Sequence, residues 1–300
     1  MNLLESVVKA MRAQGMEPAD IGCIRLDGVI CRFDCSDDKR GRRNAWCVVF
    51  ATGPRPVVSF GHWARSIRQT VVLGPGEQLT LAEREMERNA RQQAMAARDA
   101  QRKHAQDRVR REAADQWQGS EPANNYHPYL IRKGIDAAGA RQHGGFLLIP
   151  LRDTQGHIWN LQRIRADGAK RFLRGGRVKG LYACLGGPVA GALIICEGWA
   201  TGKSLHAATE LPVAVAFSAG NLLAVARAMR EKYPCARIVI AGDNDIKPDG
   251  SNPGLEAAKA AAAATHALLA IPPIAGDFND FAAQCGADTN GEANTHEQFS

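Results

Sequence analysis

The chain has 300 residues, of which 45% are hydrophobic, and its 38 Lys and Arg against 31 Asp and Glu give a net charge of +7. This size and hydrophobic content suffice for two domains with buried cores, and the positive charge suits a polyanionic partner. The sequence has no signal peptide, no apolar run of transmembrane length and no disulfide-like cysteine pattern, which predicts a cytoplasmic protein without a membrane partner.

Residues 1–75 predict a small β-rich domain. A short amphipathic helix over 3–14 precedes apolar segments such as VICRF and WCVVFA, which are separated by turns rich in Asp, Gly and Arg. Tetrahedral zinc sites usually use closely spaced cysteine pairs, and this segment has no Cys-x-x-Cys. We therefore expect buried free thiols and no zinc at Cys23, Cys31, Cys35 and Cys47.

Residues 76–118 predict a long helical connector. The stretch 77–117 is rich in Glu, Arg, Gln and Ala and has no Gly or Pro, which favours one helix of about 40 residues and about 60 Å. Met86, Met95 and Val109 are too sparse for a continuous apolar stripe. We expect a solvated helix whose Arg-rich faces are available to nucleic acid.

Residues 119–190 form a basic segment. Its candidates for contacts with nucleotide or template phosphates are Arg152, Arg163, Lys170, Arg171, Arg177 and Lys179. A run of positive charge is usually a solvated face, so charge alone does not assign this role. Gly175 and Gly176 would allow either a close approach of the backbone to a phosphate or a plain hairpin turn.

Residues 191–285 alternate short apolar runs with helix-like stretches. We predict strands at 193–196, 213–217, 237–241 and 267–271, and helices at 201–209, 221–232 and 254–264. This order predicts an α/β domain with a parallel sheet covered on both faces. Asn252 suits the cap of the last helix and Pro253 its first turn. The polar residues 286–300 are expected to be a flexible tail.

Three carboxylates follow the predicted strands. Glu197 comes directly after ALIIC, and Asp243 and Asp245 come after ARIVIAG. Ligands of such sheets bind beyond the carboxyl ends of the strands, and Mg²⁺ prefers oxygen ligands. The pattern predicts a Mg²⁺ or Mn²⁺ site with these three residues as catalytic carboxylates. The alternatives are a helix cap at Glu197 and a polar turn at the two aspartates.

Two further motifs leave alternatives open. Asp277 and Asp280, in GDFNDF, either complete the acidic cluster as metal ligands or cap a helix. EGWATGKS resembles a phosphate-binding P-loop, but Glu197 stands where the first glycine of that motif is required. A Walker-type ATP site is therefore not expected. Lys203 is expected to open a helix beside the metal site and to bind nucleotide or template.

Several motifs together resemble a known family. The Glu-Gly after one strand and the Asp-x-Asp after a later strand resemble the Toprim domain of primases, topoisomerases and some nucleases. Upstream, LLIPLRDTQGHIWNLQRIRADGAKRFLRGGRVKGLYACLG resembles the segment that precedes this domain in bacterial replicative primases. HPYLIRKGI, EGWATGKSL and GDFNDF are similar to motifs in primases of conjugative plasmids and satellite phages. DGVICRF, GRRNAWCVVF and FGHW resemble the N-terminal module of the same primases.

The resemblance implies both a fold and an activity. The fold is a Toprim-type parallel sheet flanked by helices, preceded by a mixed α+β primase subdomain, a long helix and a small β-rich N-terminal domain. The activity is two-metal-ion synthesis of short RNA primers on single-stranded DNA, for a plasmid, phage or integrative element. Ribonucleoside triphosphates would be the substrates, and a separate helicase or replication initiator a further partner.

Other functions use the same residues. A Toprim nuclease would hydrolyse nucleic acid with the same carboxylates, and an accessory protein would bind single-stranded DNA without turnover. A topoisomerase is disfavoured because the chain is short for a strand-passage gate and has no tyrosine module beyond the Toprim region. The aromatic side chains in the basic and α/β segments would either stack bases or fill the core, and these are Trp159, Phe172, Tyr182 and Trp199.

Overall fold

The computed structural model describes residues 2–51, 55–74 and 81–286. The chain divides into two compact units, Met1–Ala100 and Gln101–Ser300. Across the described ranges, no helix combines the length and the apolar character that a membrane span requires.

The N-terminal unit contains a four-stranded antiparallel sheet and one covering helix. Helix α1 (Leu3–Arg12) begins at a capping box, in which the side chains of Asn2 and Glu5 each accept a backbone N–H. The strands, in spatial order, are β1 (Cys31–Phe33), β2 (Ala45–Phe50), β3 (Val57–His62) and β4 (Ile67–Val72). Short 3₁₀ turns occur at Ile21–Cys23 and Trp63–Arg65.

One face of this sheet packs against α1. Val7, Val8 and Met11 of the helix are buried in one cluster with Cys47 and Phe60 of the sheet. Each buried aliphatic or aromatic side chain of this size stabilises the fold by about 1.5–3 kcal/mol.

The cysteines of this unit behave as core residues. Cys31, Cys35 and Cys47 are buried free thiols, as expected, and Cys23 is half-buried. Burial raises the pKa of Cys47 to about 12. A thiol with such a high pKa carries almost no thiolate at neutral pH and is therefore unreactive.

The second unit begins with the end of the long helix and a second sheet. Helix α2 (Leu81–Gln118) starts in the first unit and ends in the second, as a single helix. The sheet consists, in spatial order, of β5 (Glu121–Pro122), β6 (Arg141–His143), β7 (Phe146–Arg152), β8 (Ile158–Ile164) and β9 (Lys170–Phe172), all antiparallel. A short helix, α3 (Pro128–Lys133), lies between β5 and β6 in the chain.

The last turns of α2 are packed rather than solvated. Val109 and Ala113 are buried, and they form a cluster with Leu148 of β7 and Leu161 of β8, against which Trp117 also packs. These helix positions are four residues apart and share one face. The expectation of a fully solvated helix was wrong here because a stripe of three apolar residues is too short to stand out in a charged sequence.

A third sheet forms the α/β part of the second unit. In chain order its elements are β10 (Ala183–Leu185), β11 (Ala192–Cys196), α4 (Trp199–Thr209), β12 (Val213–Val215), α5 (Ala219–Lys232), β13 (Arg237–Ala241), α6 (Pro253–Thr265) and β14 (Leu268–Ala270). The spatial order is β10-β12-β11-β13-β14, with all neighbours parallel except the edge strand β10. The predicted parallel α/β sheet is confirmed, and Asn252 caps α6 with Pro253 in its first turn.

The third sheet is buried on both faces. Ile194 and Cys196 of β11 face a core shared with Trp199 and with Ile149 of the second sheet. The alternate residue Ile195 faces a separate core that includes side chains of α5 and α6. Burial of both faces explains why these strands are continuous apolar runs rather than alternating ones.

Candidate active site

Two neighbouring parallel strands bring the first carboxylates together. Cys196 of β11 pairs with Ala241 of β13 at the carboxyl ends of both strands. Glu197 follows Cys196 directly, and Asp243 lies two residues after Ala241. Both side chains therefore belong to the same edge of the sheet, where ligands of parallel sheets bind.

The carboxylate of Glu197 lies at the N-terminus of α5. It accepts the backbone N–H of Ala219, the first residue of that helix. Burial raises the pKa of Glu197, and the charges of Asp245 and Asp277 raise it further, against the lowering effect of Ala219 and Lys170. A helix N-terminus stabilises an anion. The carboxylate of Glu197 therefore interacts both with the start of α5 and with the other acidic side chains.

Asp243 is half-buried within the same cluster. Burial raises its pKa to about 7, and the charges of Glu197, Asp277 and Asp245 add to this, opposed by Lys170. Its Oδ1 atom is buried and has no hydrogen-bond partner in the part of the chain that the structure describes. An unpaired buried carboxylate oxygen is costly. A perturbed acid among charged partners is therefore typical of a functional site.

Asp277 begins the helical residues 278–286. Its Oδ1 accepts the N–H groups of Asn279 and Asp280 at 2.6 and 3.0 Å, and the Oδ2 of Asp280 accepts the N–H of Asp277 at 3.2 Å. This reciprocal arrangement is a capping box. The helix-cap alternative for the pair is therefore present in the structure.

The two aspartates differ in their other contacts. Asp280 accepts a hydrogen bond from Lys133 at 3.1 Å, and its pKa is lowered: burial opposes the shift, while the N–H of Asp277 and the ammonium of Lys133 favour the ionised form. The charge of Asp277, in contrast, acts on both Glu197 and Asp243. The structure thus places Asp277 with the acidic cluster and pairs Asp280 with a lysine.

Sequence reasoning missed Asn244, which holds this cluster together. Its Nδ2 donates to the carbonyl of Ile274 at 3.0 Å, and its Oδ1 accepts from the amide of Asn252 at 3.0 Å. Asn244 thereby connects the turn after β13 with the start of α6 and with the segment before Asp277. In the sequence, Asn244 is an amide residue between two acidic residues. Local patterns do not distinguish such a residue from an ordinary turn residue.

Strand β9 directs its two cations to opposite faces of the second sheet. Lys170 pairs with Ile164, and Arg171 pairs with Arg163. Directly paired residues share a face, and Ile164 belongs to the core between the second and third sheets. Lys170 therefore faces the third sheet, whereas Arg171 faces the side on which α2 packs.

The ammonium of Lys170 lies within the field of the carboxylates. It stands 5.7 Å from the centroid of the Tyr129 ring. Burial lowers the pKa of Lys170 and the charge of Lys133 lowers it further, while Asp277, Glu197 and Asp243 act in the opposite direction. Among the predicted basic residues, Lys170 is thus the one that the structure brings to the acidic cluster.

Arg163 and Arg152 make contacts on the α2 side. Arg163 donates to Gln116 at 2.7 Å and lies 3.9 Å from the carboxylate of Glu112, both residues of α2. Arg152 donates to the carbonyl of Gly156 at 2.8 Å and its guanidinium stands 5.7 Å from the ring centroid of Trp117. Neither side chain is directed toward the carboxylates by these contacts.

Arg177 and Lys179 line a separate cavity of about 750 Å³ in the second unit. Arg102 of α2 and Arg227 of α5 line the same cavity. Arg177 also donates to the carbonyl of Lys179 at 3.2 Å. The lining also contains Asp153 and Glu231, so four cationic and two anionic side chains surround the cavity, a balance that favours an anion.

Lys203 is buried in a structural contact. Its Nζ donates to Asp136 at 2.6 Å and to the carbonyl of Ala138 at 3.3 Å. These bonds fasten α4 to the loop after α3. Its predicted contact with nucleotide or template remains a prediction.

The acidic cluster fits a hard divalent cation. Its donors are all carboxylate oxygens, and the unpartnered Oδ1 of Asp243 is available as a ligand. Within the described residues, no three of these carboxylates have ligand atoms within 4.8 Å of one another.

A different set of three possible ligands occurs in the N-terminal unit. In the part of the chain that the structure describes, Cys35, Asp38 and His62 alone form such a group within 4.8 Å. His62 Nε2 lies 3.0 Å from both oxygens of Asp38, and Arg65 donates to Asp38 at 3.0 Å. These contacts already satisfy the carboxylate, and the guanidinium would repel a cation. The expected absence of zinc stays a prediction.

The α/β segment also matches a known family. The model of the Toprim domain family aligns with residues 192–288, the range that contains all five predicted carboxylates. This segment is a Toprim domain. The resemblance derived from the Glu-Gly and Asp-x-Asp motifs is confirmed.

The similarity to known proteins extends beyond the Toprim domain. Two curated relatives from Escherichia coli, both named DNA primase TraC, are 35% identical over 226 residues and 31% identical over 270 residues. The alignments cover 72% and 85% of this chain but only 15% and 25% of the relatives. The chain therefore spans a quarter or less of the length of the curated relatives it matches.

Solved structures show a weaker similarity. The primase fragment of the bacteriophage T7 primase-helicase protein is 17% identical, with a TM-score of 0.40, over 60% of this chain and 80% of that one. The catalytic core of DnaG is 12% identical, with a TM-score of 0.35, over 55% of this chain and 60% of that one.

Most of the aromatic residues around the Toprim domain belong to the core. Trp199 and Tyr182 are 1% and 3% exposed, and Phe172 packs edge-on against Phe217 at 6.0 Å. Trp159 differs, because the guanidinium of Arg110 stands 4.8 Å from its ring centroid and its indole N–H bonds a carboxylate. We therefore exclude Trp199 and Tyr182 as stacking platforms for bases.

Proposed function

We propose that this chain is a DNA primase that synthesises short RNA primers on single-stranded DNA by nucleotidyl transfer. The observation that carries the proposal is the buried Oδ1 of Asp243, which has no hydrogen-bond partner among the described residues, in a Toprim domain where the charges of Glu197 and Lys170 act on this carboxylate. The names of the two curated relatives support the same activity. A plasmid, phage or integrative element is the proposed setting, and cytoplasm the compartment.

Asp243, Asp245 and Glu197 are the residues that would hold Mg²⁺ or Mn²⁺, with Asp277 beside them. The bound ions would neutralise the triphosphate and stabilise the charge that develops as a primer 3′-hydroxyl attacks the α-phosphorus in line and pyrophosphate leaves. Asp280 is a weaker candidate ligand, since Lys133 already occupies one of its oxygens.

Lys170 would contact the phosphates of the incoming ribonucleotide. Its ammonium faces the carboxylates, and a charge-assisted hydrogen bond to a phosphate is about twice as strong as a neutral one. An arriving triphosphate would therefore gain from pairing with this cation.

The cavity lined by Arg177 and Lys179 would hold the template strand. Its cationic side chains come from α2, from the turn before β10 and from α5. Contacts with phosphates supply affinity that falls as salt rises. Arg163 and Arg171, on the α2 face of the second sheet, would add charge for the same strand. Its unwinding would depend on a separate helicase or replication initiator.

The test is incorporation of labelled ribonucleotides on circular single-stranded DNA with Mg²⁺ or Mn²⁺, comparing the wild type with Asp243→Asn. The matched control is Asp249→Asn, an exposed residue in the same turn whose carboxylate bonds Ser251. We expect short RNA products from the wild type and the control, and none from Asp243→Asn, with single-stranded DNA binding retained in all three.

Two outcomes would replace the proposal. Cleavage of the template with metal alone, lost in Asp243→Asn, would indicate a Toprim nuclease. Binding of single-stranded DNA that is independent of metal, with no turnover in either assay, would indicate an accessory protein whose acidic cluster is not used.

A further inference from the structure

The face of the N-terminal sheet that α1 does not cover carries an aligned row of residues. Arg32, Trp46, Gly61 and Arg68 are direct partners across β1, β2, β3 and β4. Directly paired residues project to the same face. Because neighbouring strands are about 4.8 Å apart, the two arginines stand about 14 Å apart at the ends of this row.

Two indoles occupy the middle of this face. A Cβ atom at Gly61 would lie 2.9 Å from Cζ2 of Trp46, so the indole of Trp46 covers the glycine. The ring of Trp63 lies beside it, with centroids 5.9 Å apart and planes at 35°. Trp63 is 61% exposed, which is unusual for so large an apolar surface.

The indoles border an open cavity of about 390 Å³. Ile30, Trp46, Trp63 and Arg68 contribute to its lining. Apolar ring surface beside a guanidinium suits a ligand that is itself flat and apolar in one part and anionic in another.

The charges around the face favour an anion. Within 2–51 and 55–74, every acidic side chain has a local hydrogen-bond partner, while the side chains of Arg32 and Arg68 are exposed and have no hydrogen bond or ion pair with any described residue. The partnered acids are Glu5, Glu17, Asp20, Asp27, Asp34, Asp37 and Asp38. No carboxylate of these two ranges is therefore paired with either arginine of the row.

We propose that this face is a binding site for single-stranded DNA, with bases stacked on Trp63 and Trp46 and phosphates paired with Arg32 and Arg68. A single strand is required because bases inside a duplex are stacked on each other and cannot reach an aromatic side chain. The choice of DNA over RNA rests on the proposed primase function, in which DNA is the long strand. Binding itself requires neither the carboxylates nor nucleotides.

The first test locates the contact within the whole protein. The full chain is labelled with 5-fluorotryptophan, and its five tryptophans are assigned by single Trp→Phe variants. Octathymidylate is then added without divalent metal while the ¹⁹F spectrum is recorded. We expect saturable shifts of the Trp63 and Trp46 resonances and none at Trp199, which is buried in the second unit. Shifts confined to Trp117 and Trp159 would overturn the proposal.

The second test uses variants and follows the Trp46 resonance as the readout. Bases stacked on an aromatic side chain gain affinity from that contact, so Trp63→Ala should raise the dissociation constant by about tenfold and Trp63→Phe should recover much of the lost affinity. Trp63 is exposed, so the fold should persist in both variants. Equal affinity of Trp63→Ala and the wild type would overturn the stacking role.

The salt dependence tests the arginines. Each phosphate contact with a single strand contributes about 0.7 to the slope of log K against log salt, so the double variant Arg32→Gln, Arg68→Gln should lower the slope by about 1.4. Lys9→Gln removes one charge from α1, on the covered side of the sheet, and should leave the slope unchanged. An unchanged slope in the double variant would refute phosphate pairing.

Competitors define the ligand. Octauridylate that binds this face more tightly than octathymidylate, or a duplex of equal length that binds equally well, would overturn the proposal. Asp243→Asn should give the same Trp63 shifts as the wild type. Failure of primer synthesis and failure of this binding site are thereby separate results.

Discussion

Asn244 and Gly276 exchange two backbone hydrogen bonds, of 2.8 and 3.1 Å, although they lie 32 positions apart in the sequence. This bridge joins the turn that carries Asp243 and Asp245 to the residue before Asp277. Gly276 has a φ of +111°, and a Cβ atom there would lie 2.7 Å from Oδ2 of Asp280. The position therefore requires glycine, for its backbone conformation and for the space beside the capping box.

Gly276→Ala is expected to destabilise the second unit by about 1–3 kcal/mol, because alanine is strained at this φ and displaces the carboxylate of Asp280. Primer synthesis should fall with it, since Asp277 would move relative to Asp243. Urea denaturation and the ribonucleotide assay measure the two effects. Gly187→Ala, with no atom within 4 Å of the new methyl group, is the control, and equal stability of the two variants would contradict the argument.

Asp243→Asn is expected to stabilise the metal-free protein at pH 8. The pKa of Asp243 is about 7 in the folded chain, against 3.8 as its ordinary value, so the folded state binds the proton more tightly. Its ionisation therefore costs stability progressively as the pH rises from about 4 to 7. The variant should gain up to about 4 kcal/mol at pH 8 in EDTA and nothing near pH 4. Urea titrations at both pH values measure this, and an identical difference at both would refute it.

Lys170→Gln is expected to raise the KM for ribonucleotides by tenfold or more, since a charge-assisted hydrogen bond is worth about 1.5–3 kcal/mol. Arg171→Gln removes the same charge from the next residue of β9, on the opposite face, and should leave this KM within about twofold. Steady-state kinetics on a fixed template distinguish them. Similar KM values for the two variants would mean that the face of the strand does not matter.

Asp38→Asn is expected to destabilise the N-terminal unit at pH 7 by about 2 kcal/mol. Burial opposes ionisation of Asp38. Hydrogen bonds from the backbone N–H of Cys35 and from the side chains of His62 and Arg65 nevertheless lower its pKa below 3.8. A group whose pKa is lower in the folded state than in the unfolded state stabilises the fold at pH values above its unfolded-state pKa. This stabilisation is lost as the pH falls through the folded-state pKa. The gap to the wild type should therefore narrow as the pH falls below 3.8.

Urea denaturation at pH 7, 5 and 3 measures this gap, and hydrogen exchange of peptides from 31–72 at pH 7 locates it. The control is Asp37→Asn, which pairs with the same Arg65 but is 63% exposed, and should change little. A loss in Asp38→Asn that persists unchanged at pH 3 would mean that the carboxylate charge is not its cause.

The sequence by itself determined the α/β order of the Toprim domain. Continuous apolar runs such as ALIIC indicate strands buried on both faces, and the cap at Asn252 and Pro253 is a local signal. The positions of Glu197 and Asp243 followed from a general rule, that parallel strands end at one edge. These features depend on residues close together in the chain, which is why patterns alone could predict them.

Only the tertiary structure decided which side chains face the carboxylates. Lys170 and Arg171 are neighbouring cations that no sequence pattern distinguishes. The register of β9 on β8 places them on opposite faces of the sheet. The burial of Lys203 against Asp136 and the link from Asn244 to Gly276 are likewise contacts between distant segments. Such contacts depend on strand register and packing, because a shift of one residue moves every side chain to the other face. Local sequence does not encode that choice.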